Sequence, residues 1–178
     1  MIKKGNKSGQ VWIETVIYTL IALTMIGLVL SFAKPKILEI QDQAVIKQSL
    51  ELLKKIDSTL LSMGCVGNQR FQEISIQKGD LKIDGENEKI IFEMKSQCVY
   101  SEPDINISDG SVTIITTKVA DYYLVTLTLN YKDVYDIQFQ GEDKMKTLTA
   151  SSMSYSITIL NNGEQIEGGS PVIDFSLR

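Results

Sequence analysis

Apolar and polar residues alternate along the chain in three different ways. From Thr15 to Ala33 no residue is charged, and nineteen helical residues rise about 29 Å, the thickness of a bilayer's hydrocarbon core. This run predicts a membrane helix embedded over about residues 11–33. Past Pro35, Ile37, Leu38, Ile40, Ala44, Val45, Ile46, Leu50, Leu52, Leu53, Ile56 and Leu60 recur at helical spacing, with Glu39, Asp42, Lys47, Glu51, Lys54, Lys55 and Asp57 among them. The two stretches predict one helix over 10–63, about 80 Å long, in which Pro35 marks a kink or local break. Leu38, Val45 and Leu52 stand seven apart, a spacing shared by a coiled-coil seam and by a helix packed on its own domain. The second reading is preferred.

After Gly64 the period changes to two. Ile74 and Ile76, Leu81 and Ile83, then Ile90, Phe92 and Met94 alternate with polar positions, separated by Lys78-Gly79-Asp80 and Gly85-Glu86-Asn87. Val125, Leu127, Leu129 and Tyr131 repeat the pattern. Met153, Tyr155, Ile157 and Ile159 do so before an expected Asn162-Gly163 turn, and Ile173, Phe175 and Leu177 form a last strand. The fold class is therefore α+β: a long N-terminal hydrophobic helix followed, over 64–178, by an antiparallel β-sandwich-like domain.

Charge and composition remove several function classes. The chain has 178 residues and a net charge of −4; three of its eighteen basic residues, Lys3, Lys4 and Lys7, fall in the first nine, so losing those nine takes the charge to −7. Binding to a phosphate backbone draws its affinity from Lys and Arg, so nucleic acid is not an expected partner. There is no histidine, which removes the commonest general base, the histidine-activated nucleophiles and the commonest metal ligand. No phosphate-binding loop or dinucleotide glycine fingerprint occurs, and the expectation is a protein that is not an enzyme and needs no cofactor or metal.

Ahead of the apolar run stand Lys7-Ser8-Gly9-Gln10-Val11-Trp12-Ile13-Glu14. These residues resemble the class III signal peptide of type IV prepilins and archaeal pilins. The resemblance implies a basic leader over 1–9, cut after Gly9 by a prepilin peptidase so that Gln10 becomes the first residue, and it covers about the first 60 residues. A Gln start is similar to archaeal members more than to bacterial ones, and bacterial pilins place their proline about four residues earlier than Pro35. The rival reading of the same run is a secretory signal cut after Ala33, since Ser31-Phe32-Ala33 has the small-x-small pattern. Lysines on both flanks leave orientation only weakly biased by charge.

Glu14 is the fifth residue after that cut, the position at which the family carries a glutamate. A carboxylate just inside an apolar helix is costly and calls for a partner. Cleavage supplies one, an α-ammonium on Gln10 that in a packed filament would meet Glu14 of a neighbouring copy. The bland alternative is an acid tolerated in the helix's first turn near the interface. The implied partners are the membrane before assembly, the prepilin peptidase, the pilus assembly machinery and the chain itself, through its N-terminal helix, in a cell-surface filament with the C-terminal domain outside. The alternative function is a minor pilin or membrane-anchored protein whose β-domain binds a sugar, surface or substrate.

Three further features are singled out. Cys65 and Cys98 are the only cysteines; in an outside domain a disulfide between them is expected, closing a loop worth about 3–4 kcal/mol, against two free thiols as the alternative. Asn106-Ile107-Ser108 forms a glycosylation sequon. Asp104 to Gly110 alternates oxygen donors as a calcium loop does, but the glycine is one place late and the twelfth residue is Ile115, so a solvated turn is expected.

Overall fold

The computed structural model describes residues 7–164 and 168–178, so Lys3 and Lys4 of the expected leader lie outside the described residues. One helix, α1, spans Lys7–Leu61 and holds the backbone of Gly9 and Gln10. The chain divides into two compact units, Met1–Ile40 and Gln41–Arg178. The division falls inside α1 rather than at the expected 63/64 boundary, because the last third of the helix is part of the β-domain's core.

In the first unit the described residues are helical throughout, and the helix passes Pro35 without interruption. Proline costs one i→i−4 hydrogen bond, that of the Ser31 carbonyl, yet does not end the helix here. Hydroxyls in the apolar run are turned back onto their own backbone. Thr15 Oγ1 donates to Val11 O (2.9 Å), Thr19 to Thr15 O (2.8 Å), Thr24 to Leu20 O (2.7 Å) and Ser31 to Leu28 O (2.9 Å). Such bonds hide the donors of a helix that must present an apolar exterior.

In the second unit, α1 contributes Ile46, Leu50, Leu53, Ile56 and Leu60, all buried at spacings of three and four, while Lys47, Gln48, Glu51, Lys55 and Ser58 stay exposed. The helix closes with Met63 N donating to Leu60 O (3.0 Å). Ten strands follow: β1 (Gln69–Ile74), β2 (Asp80–Asp84), β3 (Lys89–Ser96), β4 (Ile107–Asp109), β5 (Val112–Val119), β6 (Tyr122–Asn130), β7 (Asp136–Phe139), β8 (Met145–Thr149), β9 (Tyr155–Glu164) and β10 (Pro171–Leu177). They form a four-stranded sheet ordered β1-β9-β10-β7 and a six-stranded sheet ordered β4-β5-β6-β3-β2-β8. One hydrophobic cluster joins Leu53 and Ile56 of the helix, Phe92 and Leu127 of the larger sheet, and Ile159 and Phe175 of the smaller.

The expected α+β architecture is present; among the described strands β7 with β10 is the parallel pair in otherwise antiparallel ladders, and Pro103 and Thr116 form an isolated parallel bridge. The period-two readings for Ile74, Leu81, Ile83, Ile90, Phe92, Met94, Val125, Leu127, Leu129, Ile157, Ile159, Ile173 and Phe175 all fall on buried positions. Two local expectations are corrected. Met153 is exposed in the loop before β9, where its N–H donates to Ser151 Oγ (3.1 Å). Asn162-Gly163 is not a hairpin turn but lies inside β9, where the register against β10 shifts between Val172 and Ile173. Gly163 takes a φ of 75° there, and a Cβ on it would come within 2.6 Å of Val66 Cγ2. Asn162 is the extra, unpaired residue at this shift, and the glycine beside it permits the left-handed geometry with which a bulge bends a strand.

Candidate functional site

The surface most in need of explanation is α1 between Val11 and Phe32. Every large apolar side chain on it is uncovered, from 40% exposed at Val16 to 82% at Phe32. It is the one helix among the described residues long and apolar enough to cross a membrane. Glu14 is its single carboxylate, and Tyr18 OH donates to Glu14 Oε1 at 3.2 Å from the next turn. Ile13, Glu14, Ile17 and Tyr18 together border one side of the helix there, so the acid and the phenol share a face. A tyrosine four residues on gives the carboxylate one neutral donor, which eases its desolvation without supplying a counter-charge. The sequence pattern marked Glu14 but not this hydrogen bond.

Where the domain first grips the helix, a second carboxylate is buried. Asp42 is 3% exposed and accepts from Lys78 Nζ (2.5 Å) and from Gln97 N (2.7 Å). It therefore ties the helix to the loop before β2 and to the end of β3. Farther along, Asp57 accepts from Ser111 Oγ (2.6 Å) and Tyr131 OH (2.9 Å). Burial, and then the Asp57 charge, push the Tyr131 phenol well above its usual range, so it stays a donor. Neither role was anticipated from sequence. The available signal was an acid standing four residues before Ile46 on the apolar stripe, where a solvated charge does not belong.

The expected Cys65–Cys98 disulfide is absent, and both thiols are free. Cys65 is exposed in a loop tied to β9, through Gly67 N to Asn161 O (2.7 Å) and Asn161 Nδ2 to Gly64 O (3.1 Å). Cys98 is buried beyond β3 in the other sheet, with its Sγ 3.2 Å from Ser96 Oγ. The two are anchored to different sheets, which sequence separation does not reveal. Asn106 is exposed immediately before β4, and residues 102–110 form the expected solvated segment.

A cleft of about 370 Å³ is lined by Glu88, Asp133, Asp136, Tyr135, Lys132 and Ser170, among others. Burial raises the Glu88 carboxyl above its ordinary value, Asp136, Asp143 and Asp84 raise it further, and the Ile137 N–H it accepts partly offsets them. Asp136 is raised by burial and by Asp143. Among the described residues no group of three His, Cys, Asp or Glu side chains is placed to hold a metal ion. Comparison of the chain with protein-family models, curated proteins and solved structures finds no match to any of the three.

Proposed function

We propose that this chain is the structural subunit of an archaeal type IV pilus-like surface filament, held in the membrane by α1, trimmed after Gly9 and assembled through the same helix. The reading is carried by one observation: some thirty ångströms of apolar helix that the chain leaves uncovered, interrupted only by Glu14 near its start. Lipid covers such a surface before assembly, and the helices of other copies cover it afterwards. In either setting a lone carboxylate seeks a cation, and the α-ammonium released on Gln10 of a neighbouring copy is one that processing itself provides. Because a shift in stagger would leave both charges unpaired in low dielectric, the pair selects one register between copies.

The mature N-terminus tests the first half of the proposal by mass spectrometry. A start at Gln10 is expected; a start at Lys34 identifies a secretory signal, and an intact Met1 an uncleaved anchor. For the second half, Glu14→Ala is expected to leave cleavage and membrane insertion intact while reducing filaments recovered by shearing at least tenfold. Normal filament yield from that variant overturns the role given to Glu14.

A further inference from the structure

Asn106-Ile107-Ser108 is the sole N-glycosylation acceptor triplet in residues 10–178, and the fold places it where an enzyme has access. Asn106 is exposed and directly precedes β4, a strand whose three side chains are all exposed. β4 is the terminal strand of the larger sheet: one edge pairs with β5, Ser108 opposite Thr113, and among the described residues no strand pairs with the other. Ser108, within β4, stands two residues after Asn106, the spacing at which extended chain returns to the same face. The preceding turn is fixed by Asp104 N donating to Thr116 O (2.8 Å) and by a φ of 61° at Asp104.

The neighbours add a physical motive. Ile105 and Ile107 are 46% and 41% exposed on either side of Asn106, so this open strand edge carries uncovered β-branched residues. Such an edge is a template for unwanted pairing with another chain, and natural sheets block it with bulk or charge. A hydrophilic glycan at Asn106 would supply both distance and solvation.

We propose that Asn106 carries an N-linked oligosaccharide that shields the β4 edge of the outward-facing domain. The inference rests on the reading above in one respect, that residues 64–178 lie outside the cell. The transfer uses an oligosaccharide carried on a lipid phosphate. Asn106 Nδ2 forms a bond to C1 of the first sugar as the bond from C1 to the phosphate oxygen breaks; the lipid phosphate leaves with the electron pair, and the amide gives one proton to a base.

The test uses the full-length chain isolated from its native cells, digested with trypsin and read by mass spectrometry of the Ser96–Lys118 peptide. That peptide is expected to carry an oligosaccharide mass on Asn106. The mass is expected to vanish in Asn106→Gln and Ser108→Ala and to persist in Ser108→Thr, which keeps the acceptor hydroxyl. An unmodified peptide from a chain whose domain is cleaved by protease added to intact cells overturns the proposal and leaves the filament reading standing. A modification that survives Ser108→Ala also overturns it. A glycosylated Ser96–Lys118 peptide from a chain that still begins at Met1 supports the proposal while defeating the processing reading.

Discussion

At the scale of single residues, carboxylates do most of the specifying. Asp42 and Asp57 are acids set into or beside an apolar stripe, and each is matched by named donors from the segments flanking the strands, so each selects one rotation of the helix against the domain. Glu88 is placed differently, among Asp136, Asp143 and Asp84. Its folded-state pKa is raised, so the fold favours its protonated form: that contribution is fully present below the ordinary carboxylate range and is lost as pH rises through the raised value. Stability against urea is therefore expected to increase, from this group and Asp136, as pH falls from neutral towards that range. Glu88→Gln keeps an acceptor for the Ile137 N–H and should flatten the dependence, adding a few tenths of a kcal/mol at neutral pH, a small figure because Glu88 is only partly buried. An unchanged pH profile in that variant removes Glu88 from the account. The cysteines give a second check, since only the thiolate at an accessible site reacts readily. Cys65 should take up a maleimide in the native protein, Cys98 only after unfolding, and migration should not change on reduction.

At the scale of elements, Gly79 and Gly163 combine a positive φ with neighbours that leave no room for a Cβ. Gly79, in the turn before β2, has a φ of 90°, and a Cβ there would lie 2.5 Å from Glu93 O and 2.8 Å from Met94 Cβ. Because the nearest obstruction is backbone, it cannot swing aside. Gly79→Ala is expected to cost about 2 kcal/mol or more, combining left-handed strain with displacement of β3, and to lower the urea midpoint accordingly. A midpoint equal to the parent's would show that the turn relaxes freely. By contrast Gly67, Gly110 and Gly141 have positive φ with open space around them, so alanine there meets strain alone.

At the scale of the whole molecule, the division inside α1 matters most. Among the described residues, those from Val45 onward supply every helical member of the hydrophobic cluster and of its partly buried fringe. A chain beginning at Gln41 is therefore expected to fold cooperatively in water without detergent. One beginning at Gly64 loses Ile46, Leu50, Leu53, Ile56 and Leu60, each worth about 2–5 kcal/mol as a truncation, against a total stability of roughly 5–15 kcal/mol. That shorter chain should remain unfolded by circular dichroism and amide exchange. If it folds as well as the longer one, the helix is an accessory rather than a wall of the core.

Local pattern alone determined a good deal of this protein. A charge-free run and a three-to-four spacing define the helix, and alternation at period two defines most of the strands, because each is a demand that neighbouring residues along the chain make on solvent. Glu14 was visible for the same reason: an acid in an apolar run is conspicuous without any fold. Only the tertiary structure decided what depends on partners distant in sequence. Cys65 and Cys98 stay apart because each is tied to a different sheet, Asn162-Gly163 becomes a bulge because β10 pairs beside it, and β7 pairs directly with β10, in parallel, although β8 and β9 separate the two in sequence. Asp42 likewise belongs to the core only because Lys78 and the Gln97 amide come to meet it. Burial of a charge is settled by what arrives from elsewhere in the chain, and that arrival has no signature in the residues on either side.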